Sequence, residues 1–188
     1  MKNKLIIFDC FGVIFDEIAP VFFSRYLPED KAVQVKEKIF VPADLGQIPY
    51  EQIFEQMAKE VNMTPQAVIE EWEELIHLNE KMIPVIKELG KTADIALLSN
   101  APLGFVERIF EENSLNSLFD KIFISCNLKM AKPDIEIYKY CVSQFNKDYE
   151  KIYMIDDNIK NLEHLPSIGI TPIHFKGIDD MIDKLTDC

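Results

Sequence analysis

The chain has 188 residues, of which 48% are hydrophobic, enough apolar material for one substantial core and a smaller second lobe without covalent staples. Its net charge of −12 is unevenly spread, since residues 14–80 hold 14 of the 32 acids but only 5 of the 20 bases, a field that disfavours nucleic acid and anionic membranes as partners and suits a solvated helical face. The opening MKNKLIIF is cut off at Asp9, too short for a signal-peptide core or a membrane span, and Cys10, Cys126, Cys141 and Cys188 show neither CxxC spacing nor the density of a secreted disulfide scaffold, which points to a reducing cytoplasm.

In chain order, Leu5–Phe8 (LIIF) is the first of five short apolar runs that read as strands covered on both faces. Residues 14–80 contain no comparable run. Helical spacing appears there instead, over Tyr50–Val61 and Pro65–Leu78, with Thr64 as N-cap and Pro65 as first helical residue. Ile53, Phe54, Met57 and Val61, then Val68, Ile69, Trp72, Leu75 and Ile76, give each helix one apolar stripe. Four more strand runs follow: Asp94–Leu98, Lys121–Ile124, Lys151–Ile155 and Thr171–Phe175. Between them lie helical patterns around Pro102–Glu112, Pro133–Phe145 and Asn158–Pro166. The alternation predicts an α/β fold with a doubly wound parallel sheet, built from residues 1–13 and 81–188, and an all-helical insertion at 14–80.

In such a sheet the ligand crevice lies beyond the carboxyl ends of the strands. Asp9 ends the first strand, Ser99 and Asn100 the second, Lys132 follows the third after a short loop, and Asp156 with Asp157 ends the fourth. Singly, each reads as a turn residue or helix cap. Together they do not, because acidic strand ends close in space repel strongly unless a cation or Lys132 lies between them. Oxygen ligands of this kind suit Mg²⁺ rather than zinc.

IIFDCFGVIFD, ALLSN, MAKPDIEIY and MIDDNIKN, in this order between Ile6 and Asn161, resemble the four motifs of the haloacid dehalogenase-like (HAD) superfamily. The helical segment after the first is similar to that family's inserted α-helical caps. The resemblance implies that Asp9 is a nucleophile forming an aspartyl-phosphate, that Lys132 holds it and neutralises charge, and that Ser99 and the Asn100 N–H cradle phosphoryl oxygens. It further implies Mg²⁺ held by Asp9, the Phe11 carbonyl and Asp157, with Asp156 and Asn161 acting through water or by orienting ligands.

Phe11 departs from the family's phosphatase pattern, which has a second Asp there as general acid and base. A phenyl ring moves no protons, so a contribution of typically about 10²- to 10⁴-fold is missing or comes from elsewhere. An aromatic residue at this position also resembles the metal-free 2-haloacid dehalogenases, which attack carbon. Those enzymes keep no adjacent Asp pair at the fourth motif, whereas MIDDN does, and the one arginine within 14–80, Arg25, has no context marking it as a halide ligand. The expectation is therefore a Mg²⁺-dependent hydrolase of a small-molecule phosphate ester, with a sugar phosphate favoured by the acidic insert. The alternatives are carbon–halogen hydrolysis and a catalytically impaired binding protein. Asp16 reads as a hinge residue before it reads as a replacement acid, His77 as a surface residue of the last inserted helix, and Cys10 and Trp72 as packing.

Overall fold

The computed structural model describes residues 2–186. Five parallel strands, β1 (Lys4–Phe8), β2 (Asp94–Ser99), β3 (Lys121–Ile124), β4 (Lys151–Asp156) and β5 (Thr171–His174), form one sheet in the order β3-β2-β1-β4-β5. Successive β1 side chains face opposite ways, and both sides are covered. Leu5 and Ile7 join a core with Ala96, Leu98, Met154, Tyr138 and Cys141; Ile6 and Phe8 join a larger one with Ile95, Leu97, Tyr153 and Ile155. That double burial is why the strands read as unbroken apolar runs.

The chain leaves β1 towards β2 and β3, then crosses back to β4 on the other side of β1. This reversal puts the switch-point crevice at the carboxyl ends of β1 and β4.

Between β1 and β2 come α1 (Ala19–Ser24), α2 (Glu29–Asp44), α3 (Tyr50–Val61) and α4 (Pro65–Glu73), followed by α5 (Met82–Leu89). Thr64 Oγ1 accepts from the Ala67 N–H at 3.2 Å, with Pro65 at the first helical position. Asn62, left-handed at φ 56°, ends α3. The two linkers of this helical insert run side by side: Phe15 bridges Leu78, Asp16 N–H donates to His77 O, and Asn79 N–H donates to Ile14 O.

Four differences from the sequence expectations have local causes. First, α4 stops at Glu73, not Leu78, because Leu78 is taken up in pairing with Phe15. His77 therefore lies past the helix. Second, the segment expected as a helix over Asn158–Pro166 is two 3₁₀ turns, Ile159–Asn161 and Leu165–Ile168. Asp156 Oδ1 accepts the Asn158 N–H and Asn158 Oδ1 accepts the Lys160 N–H, tightening the chain into short turns. Third, α6 (Phe105–Glu112) starts three residues after Pro102, since Gly104 at φ 80° turns the chain before the helix can begin. Fourth, α8 (Ile135–Ser143) starts after Asp134, whose carboxylate accepts the Glu136 N–H at 3.0 Å. The last helix is α9 (Ile178–Thr186). Among the described residues no helix is long and apolar enough to cross a membrane.

Candidate active site

Beyond the ends of β1 and β4, Lys132 Nζ lies 2.8 Å from Asp9 Oδ1 and 2.7 Å from Asp156 Oδ2. The same Asp9 oxygen accepts the Cys10 N–H at 2.6 Å. Asp156 is saturated: besides Lys132, its carboxylate accepts from the Asn158 N–H at 2.9 Å and from Asn161 Nδ2 at 3.1 Å on both oxygens. Tyr138 OH in turn donates to Asn161 O at 2.7 Å. Asp156 thus works inside the protein, aiming the ammonium at Asp9.

Lys132 is held at its backbone by Asn100. Asn100 Nδ2 donates to Lys132 O at 2.9 Å and Asn100 Oδ1 accepts the Lys132 N–H at 2.8 Å. Sequence reasoning had given Asn100 only a backbone role; this side-chain clamp depends on a loop 32 residues away and leaves no periodic signal. Ser99, expected on the phosphate, is fully buried, while Asn100 borders the cleft.

Asp157 has a different environment. Its Oδ1 is buried with no hydrogen-bond partner, and an oxygen from each of Asp9, Asp156 and Asp157 fits within a 4.8 Å cluster. Gly12 makes room for it: a Cβ there would lie 2.2 Å from Asp157 Cγ, and Gly12 has φ 79°. Burial, then Glu17 and Asp156, push Asp157 up to about 6. Burial and Asp156 likewise raise Asp9 while Lys132 pulls it down. Burial alone would lower Lys132, yet Asp9 and Asp156 together hold it above its ordinary value. Three carboxylates share one ammonium in a low-dielectric site. That charge set and the orphaned Asp157 oxygen fit a hard divalent cation held by Asp9 and Asp157.

The cleft above these groups has a volume of about 860 Å³. The insert supplies its far wall through Ile18, Leu27, Ala32, Val33, Phe40 and Trp72, with Glu17, Glu29, Lys36, Glu37 and Asp44 as charged neighbours. Phe11 stacks on Phe105 (centroids 5.6 Å apart, 9° between planes), and Phe105 stacks on Tyr50 of α3 at 5.7 Å, so the ring at position 11 belongs to the seam between the sheet and the insert. Arg108 crosses the same seam to Glu73 at 2.7 Å.

The secondary candidates resolve plainly. Asp16 is exposed at the linker pair, and His77 is exposed beyond α4, offering only its carbonyl to Asp16. Arg25 pairs with Glu71 at 3.3 Å and does not line the cleft. Cys10, Cys126 and Cys141 are buried free thiols; Cys188 lies outside the described residues. Trp72 packs among Phe22, Phe40, Phe54 and Phe105, and one edge also reaches the cleft.

The structure is that of a doubly wound α/β protein with a lysine-held carboxylate at its switch point, the place where such folds bind their ligands. The chain belongs to the haloacid dehalogenase-like hydrolase family, whose profile matches residues 3–169, and it is a hydrolase of that family. It is 21% identical to the sesquiterpene phosphatase astK of Aspergillus oryzae, over 98% of this chain and 93% of that one. Its fold is similar to that of the HAD family enzyme BT-2542 of Bacteroides thetaiotaomicron (TM-score 0.77, 20% identity, 95% and 97% of the two chains). BT-2542 was also solved with magnesium and inorganic phosphate (TM-score 0.73, 19%, 92% and 94%). The L-2-haloacid dehalogenase of Xanthobacter autotrophicus matches less closely (TM-score 0.66, 14%, 100% and 83%).

Proposed function

We propose that the protein is a Mg²⁺-dependent phosphate monoester hydrolase that uses Asp9 as nucleophile. The observation that carries this reading is the division of labour among the strand-end acids. Asp156 is consumed in fixing Lys132 against Asp9, whereas Asp157 keeps a buried oxygen with nothing to bind. A metal-free dehalogenase has no use for that oxygen, and Arg25 is tied to Glu71. Retention of the whole set also argues against a purely binding role.

In this reading an oxygen of Asp9 attacks phosphorus and the ester oxygen leaves; water then attacks the aspartyl-phosphate and releases inorganic phosphate. Lys132 holds Asp9 in line and offsets charge on the transferring group. The Asn100 N–H is assigned to phosphoryl oxygens, with Ser99 fully buried at the end of β2 and Asn100's side chain keeping the Lys132 loop in register. Asp9, the Phe11 carbonyl and Asp157 would hold Mg²⁺, which when bound neutralises phosphate charge and orients it against the nucleophile. The residues of 14–80 act as a cap that excludes water.

The substrate expectation shifts. The acidic surplus of the insert had favoured a sugar phosphate, but the wall facing the nucleophile is mostly aliphatic and aromatic. Such a wall favours a small phosphate monoester with an apolar body, as would suit a relative of a sesquiterpene phosphatase. The buried free thiols suit action in a reducing cytoplasm. The test is a panel of alkyl, prenyl, sugar and aryl monophosphates, with and without Mg²⁺, on wild type and Asp9→Asn. Mg²⁺-dependent phosphate release that vanishes in Asp9→Asn is expected. Halide release from 2-haloacids without metal would replace the reading.

A further inference from the structure

Asp44, the last residue of α2, borders the same cleft as Asp9, Phe11, Asn100, Lys132 and Asp157. Its position is fixed on both sides. Ala43 before it is buried in the larger core. Two residues after it, Gly46 turns at φ 65° and its carbonyl accepts a 3.2 Å hydrogen bond from Lys129 Nζ, just past α7 (Ser125–Leu128). A Cβ at Gly46 would lie 2.3 Å from that nitrogen and 2.8 Å from Cys126 O, so the end of α2 seats on the sheet domain only with glycine there.

The Asp44 carboxylate makes no hydrogen bond among the described residues. The charges that reach it are Lys36 on its own helix and Lys132 across the cleft; Lys36 also faces Glu17 at 3.9 Å, and the Cys126 thiol on α7 feels Asp44 in return. Burial outweighs both lysines and raises Asp44 to about 7, the range in which one carboxyl can both give and accept a proton near neutral pH. The insert's other acids on this cleft are Glu17, Glu29 and Glu37; Glu17 is drawn to Lys36 and stands against Asp157.

We propose that Asp44 is the general acid and base of this hydrolase, supplying from the insert the proton transfer that Phe11 cannot supply from the nucleophile loop. The proposal rests on the phosphatase reading above. In the first step, Asp9 oxygen bonds to phosphorus, the phosphorus–ester oxygen bond breaks, and the Asp44 proton goes to the departing alkoxide. In the second, Asp44 carboxylate takes a proton from the water that attacks phosphorus, and the phosphorus–Asp9 bond breaks to regenerate both carboxyl groups. The nucleophile and the acid border one cleft from the sheet side and the insert side.

The test uses the full chain with Mg²⁺ and single-turnover release of alcohol from decyl phosphate, a poor leaving group, beside 4-nitrophenol from 4-nitrophenyl phosphate, which needs no proton. Asp44→Asn should slow decyl release by about 100-fold or more and nitrophenol release by less than about 5-fold, while Asp44→Glu recovers part of the decyl rate. The wild-type decyl rate should fall above about pH 7 and lose that limb in Asp44→Asn. Equal slowing of both esters, or of neither, overturns the role of Asp44 and leaves the phosphatase reading standing. If Asp44→Asn does not fold, the wild-type profiles decide: a falling limb with decyl phosphate alone supports the proposal, and matching limbs overturn it. Absence of Mg²⁺-dependent release from both esters by wild type overturns the phosphatase reading and this proposal with it.

Discussion

Lys132→Met removes the charge at the centre of the buried acids and keeps an unbranched stem in its place. The native ammonium is 2.8 Å from Asp9 and 2.7 Å from Asp156, and the Lys132 and Asp156 side chains are 1% and 0% exposed. Removing one partner of a buried ion pair costs about 3 to 5 kcal/mol, because the other charge stays buried and unpaired. Here two carboxylates lose the same partner, so a loss of about 4 to 5 kcal/mol is expected at pH 7.5 without metal, a large share of a typical domain's stability. The pH dependence follows from proton uptake. Without the lysine, Asp9 loses the group that pulls it down and titrates further above its unfolded value, the folded state binds more protons than the unfolded state from about pH 4 upward, and stability returns as pH falls. Urea unfolding in EDTA at pH 7.5 and pH 5.0 measures both. Recovery of about half the loss at pH 5.0 is expected. A loss below about 1 kcal/mol at pH 7.5, or one of equal size at both pH values, refutes the view that Lys132 neutralises this site.

Gly12→Ala sets a Cβ against the Asp157 carboxylate at a φ that non-glycine residues rarely adopt; it should cost about 1 to 3 kcal/mol in thermal unfolding and weaken Mg²⁺ binding at least about 10-fold by calorimetry. Unchanged Mg²⁺ affinity would remove Asp157 from the metal site. Mg²⁺ at about 100 times its Kd should stabilise the fold by about 2.7 kcal/mol through mass action, and Asp157→Ala should abolish the shift. In EDTA the raised Asp157 disfavours its charged form in the folded state, so this group's contribution, no more than about 3 kcal/mol, is present below its unfolded value and lost as pH rises to about 6; Asp157→Asn should flatten that part of the pH–stability curve. Phe11→Asp restores the family's usual acid but breaks the stack on Phe105. In an Asp44→Asn background, where the proton donor of the insert is gone, it should speed single-turnover transfer from alkyl phosphates more than from 4-nitrophenyl phosphate, and it should lower the melting temperature. A folded, Mg²⁺-binding double variant without that selective gain would show that position 11 does not face the leaving group.

Strand positions were readable from the chain to within a residue because both faces of this sheet are buried; Lys121–Ile124 matched at both ends. The helix Tyr50–Val61 was readable from its strong apolar stripe. Helix α2, the longest among the described residues, carries a weak signal: its buried Val35, Ile39 and Ala43 recur only every fourth residue among charges, and Pro42 lies inside it. At the site, Asp9, Asn100, Lys132, Asp156 and Asp157 were legible because strand ends converge in this topology. What remained hidden depends on docking between remote segments: the Asn100 clamp on the Lys132 loop, the Phe11–Phe105 stack, and Asp44 at the cleft. No local period encodes how an insert closes on its sheet. Gly12 left a faint local sign, a glycine three residues past Asp9, whose meaning appears only once Asp157 is seen against it.

The chain's single tryptophan lies in the aromatic seam of the insert, 5.5 Å from the Phe40 ring and 6.3 Å from Phe105. Excited selectively in the near ultraviolet, Trp72 therefore serves as an intrinsic optical gauge of the insert. Separation of the insert from α6 would hydrate its indole and move its emission to longer wavelength, whereas an apolar ester filling the cleft would keep the indole dry and move emission the other way. Opening and occupancy can thus be followed in real time without a label.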